Sequence, residues 1–440
     1  MRQWKHGKIK AVVGRADGDG SGAGVQPKGA GSARAKMFGK HEAEKARKFH
    51  QSFPEYVPTP LISLDSLAEL LGVGGIYVKD ESYRFGLNAF KGLGGSYCIG
   101  NYVAKKLGMD ISELTYEYLT GAEVKEKLGK ITFITATDGN HGRGIAWTAN
   151  RLGQGCVVLM PKGSAAERLE NIRALGAEAW ITDVNYDDTV RMAKDMADKN
   201  GWVLVQDTAW DGYEEIPGWI MQGYTTMGCE IVEQLKELGK RTGAGVSTQT
   251  NASSPIRPTH IFLQAGVGAM AGAMTGFFAD YYDGEMRSGG APTIVIVEPD
   301  KADCIYKTAA ANDGKLHAVT GDLDSIMAGL CCGEACTIGW DVLKNRADAF
   351  ISMPDEIAAR GMRILGNPAG TDLRVISGES GAASLGFAAA ILMDSPLAEL
   401  KELVSINEES RILCISTEGA TDSAGYQKIV WDGLYSVNNL

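Results

Sequence analysis

Apolar runs of four to six residues alternate with longer stretches of helical periodicity from residue 131 to residue 206. Residues 131–136, 155–160, 179–182 and 202–206 read as strands, with helices at 143–152, 165–175 and 186–199 between them. Strands separated by helices cannot close as hairpins, so they lie parallel with helices covering both faces of the sheet. Gly176 and Gly201 stand where left-handed helix C-caps are expected. A long helix over 220–238 and a polar, turn-rich stretch over 240–259 interrupt the pattern. It resumes with strands at 260–264 and 293–297 and a helix at 270–281. An irregular stretch at 322–336, helices at 355–365 and 381–393, a strand at 411–416 and a helix from Ser423 complete it. Two such blocks predict an α/β fold of two doubly wound domains, mainly parallel sheets, and an active site in the cleft between them. The expected division is an extended or mobile tail over 1–38, a discontinuous large domain of 39–95 with 225–440, and a small domain of 96–224.

Charge and cysteine usage narrow the partners. A net charge of −10 argues against nucleic acid or an anionic membrane surface. No apolar leader and no run of about 18 apolar residues is present, so a cytoplasmic protein without a membrane partner is expected. The eight cysteines (Cys98, Cys156, Cys229, Cys304, Cys331, Cys332, Cys336 and Cys414) are scattered through a long chain, unlike a disulfide framework. Cys331, Cys332 and Cys336 have no spaced partner pair or histidine, so they read as buried thiols and no metal site is expected.

Five stretches can carry chemistry. Lys91 lies between Phe90 and Gly92-Leu93-Gly94-Gly95, shortly after a strand at 76–79. An amine held there away from water can lose its proton and act as a nucleophile, although most lysines are solvated surface charges. Thr137-Asp138-Gly139-Asn140-His141-Gly142 follows a strand and opens a helix, whose free N–H groups suit a substrate carboxylate. Asp138 is the oddity beside an anion site. Capping and turn roles compete for Asp138, Asn140 and His141. Gly266-Val267-Gly268-Ala269-Met270 is again strand, glycine loop, helix, and suits a phosphate or merely tight packing. With Glu298 it also passes as a dinucleotide fingerprint. Asp207 sits at a strand's C-terminal end, where open α/β sheets bind ligands, or starts a turn. Ser416 and Thr417 place two hydroxyls at another strand end.

In this order, from about residue 54 to residue 426, these stretches resemble the fold type II pyridoxal-phosphate enzymes of the tryptophan-synthase-β type, which include threonine and serine dehydratases. The resemblance implies Lys91 as the Schiff-base lysine and Asn140 at the cofactor's phenolic oxygen. It also implies Gly266, Val267, Gly268, Ala269 and Met270 around the phosphate, and a hydroxyl of Ser416 or Thr417 at the ring nitrogen. Dehydratases carry small uncharged residues before the Gly-Asn-His, where this chain has Thr137-Asp138. That segment, with 206–213 and Ile216-Pro217, is closely similar to the diaminopropionate ammonia-lyase family. Within that family the matching aspartates handle protons, which points to Asp138 and Asp207 as catalytic residues. Thr137, Asp138, Gly139 and His141 are then the expected substrate contacts.

A proton leaving Cα must stand perpendicular to the cofactor's conjugated plane, so D- and L-isomers present it on opposite faces. One base cannot serve both, whereas two carboxylates can. An ordinary aspartate is a weak base, so burial is expected to raise at least one of them. The implied activity is α,β-elimination of 2,3-diaminopropionate, of both configurations, to pyruvate and ammonia by a homodimer. The alternatives are a serine/threonine dehydratase or β-replacement enzyme of the same fold, an NAD-dependent oxidoreductase built on Gly266 and Glu298, and a non-catalytic amino-acid sensor.

Overall fold

Uninterrupted runs of buried residues, rather than alternating ones, mark the central strands, as expected where helices cover both faces of a sheet. His260–Gln264 and Ala349–Met353 are buried at every position. The computed structural model of this chain describes residues 1–14, 34–137, 139–242, 255–283 and 291–436. Its strands are β1 (Arg2–His6), β2 (Ile9–Val13), β3 (Leu61–Ser63), β4 (Gly75–Asp80), β5 (Thr132–Ala136), β6 (Gly155–Met160), β7 (Glu178–Ile181), β8 (Val203–Leu204), β9 (His260–Gln264), β10 (Thr293–Pro299), β11 (Ala349–Met353) and β12 (Arg411–Ser416). They form an eight-stranded sheet in the order β1-β2-β11-β10-β9-β12-β4-β3 and a four-stranded sheet in the order β7-β6-β5-β8. Neighbours from β11 to β4 pair in parallel, as do all four strands of the smaller sheet. The antiparallel pairs lie at the margins of the larger sheet.

The first fourteen residues correct the expected tail. β1 and β2 form a hairpin around Gly7, whose φ is 54°, and β2 adds antiparallel to β11, with Val13 opposite Ala349. Ile9, Ala11, Val12 and Val13 are buried there. Lys8 and Lys10 hide this strand in the sequence by breaking its apolar run. The rest of the expected tail, residues 15–33, lies outside the described residues.

Lys91 itself begins a helix that runs to Leu107. It crosses helix Asn140–Arg151 and the long helix Glu215–Thr242 at very short range. A Cβ at Gly144 would come within 2.9 Å of the Lys91 carbonyl oxygen and 3.0 Å of the Gly92 nitrogen. Glycine at 144 therefore sets how closely the small-sheet helix approaches the backbone of Lys91.

Beneath the turn leading to Lys91 lies a cluster of charges shut off from water. Lys79, Glu81, Arg84 and Glu230 are all fully buried. Glu230 accepts from Lys79 Nζ at 2.6 Å and from Arg84 Nη2 at 2.7 Å, and Arg84 Nε donates to Glu81 at 2.9 Å. Two cations face two anions, which is what makes such burial tolerable. The cluster fixes the end of β4 to helix Glu215–Thr242. Between it and Lys91 the chain passes through positive φ at Phe85 (51°), Gly86 (69°) and Asn88 (55°). Such conformations persist only where the surroundings impose them. Among the described residues no single helix is long and apolar enough to cross a membrane.

Candidate active site

Lys91 stands at the first turn of its helix, and its ammonium pairs with the Asp207 carboxylate just beyond the end of β8. The rings of Phe90 and Tyr224 flank the ammonium, with centroids 5.4 and 5.8 Å away. Asp207 is 3% exposed. Its other oxygen accepts from the Tyr186 hydroxyl at 3.3 Å, and His141 Nδ1 lies 3.9 Å from the oxygen that Lys91 engages. Burial pushes the Asp207 carboxyl up, but the Lys91 ammonium, and then His141, outweigh it and hold the group well below the usual carboxylate range. This differs from the raised carboxyl expected of a base, and the reason is the adjacent ammonium. With the lysine charge removed, burial would act on Asp207 with its main opponent gone.

Phe90, Lys91, His141, Tyr186 and Asp207 line one cavity of about 270 Å³ between the two sheets. The small-sheet side brings Thr137, Asn140, His141 and Asp207, and the large-sheet side brings Gln264 to Met270 and Thr417. His141 Nε2 is anchored by the Val205 carbonyl at 2.8 Å. Gly139 turns its N–H onto Thr137 Oγ1 at 2.9 Å, which uses one donor of the expected anion loop and leaves Gly139 outside the cavity lining. Thr417, whose Oγ1 accepts from Gln264 Nε2 at 2.9 Å, faces the cavity. Ser416 is buried behind it against Ser377 Oγ at 2.8 Å. Asp138 lies outside the described residues.

Four side chains at the cavity had no role in the sequence reading. Tyr186 holds Asp207, and Gln206 in turn donates to the Tyr186 hydroxyl at 2.8 Å. Glu379 and Glu418 are buried carboxylates on the large-sheet wall. Gln264 Oε1 is buried without a hydrogen-bond partner among the described residues, a signature of a polar group that binds beside it. Glu298, by contrast, is spent elsewhere. It is fully buried and accepts the backbone N–H groups of Ile305 and Tyr306 at 2.8 and 2.6 Å. A carboxylate committed to a helix start cannot receive a ribose, so the dinucleotide reading loses its acidic residue. No group of histidine, cysteine or acidic side chains suited to a metal occurs among the described residues, and all eight cysteines are free thiols.

Residues 53–418 match the family model of the pyridoxal-phosphate dependent enzymes. The chain is 50% identical to diaminopropionate ammonia-lyase of Escherichia coli strain K12 over 401 residues, 91% of this chain and 94% of that protein. Its structure is similar to the holo form of the Escherichia coli enzyme, with a TM-score of 0.84 and 47% identity over 98% of each chain. It is also similar to the same enzyme in complex with D-serine, with a TM-score of 0.83 and 46% identity over 98% of this chain and 99% of that one.

Pyridoxal phosphate is the cofactor, and the residues present suit it. Lys91 offers a primary amine inside the cavity. Gly268, with φ of 87°, turns the loop so that the N-terminus of helix Ala269–Asp283 faces the same space, an arrangement that receives phosphate. Gln264 and Thr417 supply polar atoms at the floor. On sequence, structure and the chemistry of the cavity together, the chain belongs to the diaminopropionate ammonia-lyase family of pyridoxal-phosphate-dependent enzymes.

Proposed function

We propose that this protein eliminates the β-amino group of 2,3-diaminopropionate, of both configurations, and yields pyruvate and ammonia. The observation that carries the reading is the Lys91–Asp207 pair, its carboxylate buried and its ammonium partly so, in one cavity with a glycine loop fit for phosphate. When bound through Lys91, the cofactor supplies the electron sink that stabilises charge at the substrate's Cα. Lys91 anchors it and acts as the base when substrate takes the lysine's place on the cofactor. Once the lysine is no longer an ammonium, Asp207 is freed from the charge that lowers it and can accept or deliver a proton. Tyr186 donates to Asp207, and His141 lies 3.9 Å from the same carboxylate. Asp138, from the loop before Asn140, is assigned the opposite face. Substrate loses a Cα proton and the Cβ–N bond, which releases one ammonia and 2-aminoacrylate. Addition of water to the latter gives pyruvate and a second ammonia.

A second ammonium on the substrate suits a cleft that carries carboxylates, which favours a diamino acid over serine or threonine. The relative solved with D-serine supports access for the D-configuration. Asn140 is assigned to the phenolic oxygen, residues Gly266 to Met270 to the phosphate, and Thr417 rather than Ser416 to the ring nitrogen. Thr137 and His141, with Asp138 and Gly139, make up the substrate loop. The domain division belongs to the same proposal. The small sheet lies wholly within 132–204, and every strand of the large sheet lies outside it. A cytoplasmic homodimer is the assembly we infer from the family, to be checked by light scattering in solution.

Ammonia and keto-acid yields from D- and L-diaminopropionate, serine and threonine test the assignment. Asp207→Asn and Asp138→Asn are each expected to lose roughly 10²- to 10⁴-fold in turnover of one isomer more than the other. Full turnover of both isomers by both variants would end the two-base reading. Higher turnover of threonine than of diaminopropionate would move the protein to the dehydratases.

A further inference from the structure

Glu418 follows Thr417 just beyond β12 and is 1% exposed. One of its oxygens accepts from the Asn140 side-chain amide at 2.5 Å, across 278 residues of sequence and from the opposite side of the cleft. The other accepts the Ser380 backbone N–H at 3.1 Å, in the first turn of helix Glu379–Met393. The Thr421 hydroxyl reaches the first oxygen at 3.4 Å. A carboxylate accepts and does not donate, so the Asn140 atom facing it is the nitrogen and the amide is locked against flipping. Asn140 therefore holds its second N–H in one orientation at the wall of the cavity that contains Lys91.

We propose that Glu418 is the positioning residue for Asn140, fixing the N–H that Asn140 offers to the cofactor's phenolic oxygen and thereby setting how readily that oxygen is held as an anion. The inference rests on Asn140 being a cofactor contact. A donated hydrogen bond favours an ionised oxygen, and a donor that can rotate away does so less. A carboxylate on the far N–H also polarises the amide, whereas water in its place would leave the side chain free to turn. The charges around Glu418 make the device sensitive to pH. Glu379 lies beside it, with Arg168 of the small-sheet side 4.0 Å from the Glu379 carboxylate and Asp422 near by. Burial, and then Glu418, push the Glu379 carboxyl up to about 7. Negative charge next to Glu418 thus grows through neutral pH.

The test uses the holoenzyme. Visible spectra of the bound cofactor between about pH 6 and pH 9, and equilibrium dialysis of pyridoxal phosphate, are compared for wild type, Asn140→Ala, Glu418→Ala, Glu418→Gln and the double alanine variant. Asn140→Ala and Glu418→Ala are expected to move the ring's ionisation in the same direction. Each should weaken cofactor binding by roughly tenfold to a hundredfold, the scale of one hydrogen bond to a charged group. The double variant should be no worse than the more severe single change. Glu418→Gln, whose amide oxygen can still accept from Asn140, should keep most of the wild-type affinity. An effect of Asn140→Ala with none of Glu418→Ala, or full additivity of the two, overturns the positioning role. No effect of Asn140→Ala overturns the assignment of Asn140 itself. Should Glu418→Ala fail to fold, Glu418→Asp withdraws the carboxylate by one methylene and must reproduce the spectral shift. An unchanged spectrum there would overturn the proposal.

Discussion

Replacing Glu230 by glutamine alters one charge at the centre of a cluster that has no access to water. In the native cluster Glu230 accepts from Lys79 Nζ, two nitrogens of Arg84, the Tyr56 hydroxyl and the Thr59 amide, at 2.6 to 3.2 Å. Glutamine keeps the shape but removes the negative charge and points an NH2 group at cationic donors. One buried cation then lacks its counter-charge. Breaking such a pair costs about 3–5 kcal/mol, a factor of roughly 10² to 10⁴ in the folding equilibrium. The protein can soften the loss. Burial already pushes the Lys79 ammonium below its ordinary value, and Glu230 is the leading group that pulls it back. Without Glu230, Lys79 sheds its proton more readily in the folded state than in the unfolded chain. The unfolded chain then binds more protons, so the variant's stability rises with pH. Urea unfolding followed by tryptophan fluorescence should show the full loss near pH 6 and a partial recovery towards pH 10. Adding Lys79→Met restores neutrality, with Arg84 still facing Glu81, and should recover about 1–3 kcal/mol as coupling energy. A loss below about 1 kcal/mol that is the same at both pH values, with no rescue by Lys79→Met, would refute the charge-balance argument.

Three further outcomes are expected. Glu379 holds its proton longer in the folded protein, with a value near 7 against an ordinary 4.5, so its stabilising contribution is complete below about pH 4.5 and is lost as pH rises towards 7. Glu379→Gln removes that dependence, and the difference in unfolding free energy between variant and wild type should grow in the variant's favour by up to roughly 3 kcal/mol between about pH 4 and pH 8. Gly144→Ala places a Cβ against the Lys91 and Gly92 backbone, forcing the two helices apart at a cost of about 1–3 kcal/mol. Cofactor affinity measured by dialysis should fall with it. Deleting residues 1–14 bares the edge of β11 and the apolar surface that Ile9 and Val12 cover, so light scattering should reveal association of the truncated protein.

The parts of the fold that the sequence displays are those where an apolar run stands between helix signals, as at His260–Gln264 and Arg411–Ser416, whose observed bounds equal the expected ones. β11 escaped notice because Ala349–Met353 is five residues long between Asp348 and Pro354, and its strand character comes from pairing with both β10 and β2. The site divides in the same way. Lys91, Asp207 and the loop 266–270 are marked by glycines and strand ends. Tyr186, Glu379 and Glu418 carry no local mark, since their meaning lies in partners far along the chain. Asn140 and Glu418 become neighbours only once both sheets exist.

β12 has neighbours on both sides, β9 and β4, and no other described strand joins those two. During synthesis β3 and β4 leave the ribosome first and β9, β10 and β11 follow, but residues 411–416 emerge only after all of them. Until then the larger sheet exists as two fragments, each presenting an open parallel edge to the cell. Thr417 is bonded by sequence to that strand, so the pocket floor cannot be laid down before residue 417 has emerged. A nascent or truncated chain lacking residues 411 onwards would be unable to capture pyridoxal phosphate, and its exposed edges would make it a client for chaperones.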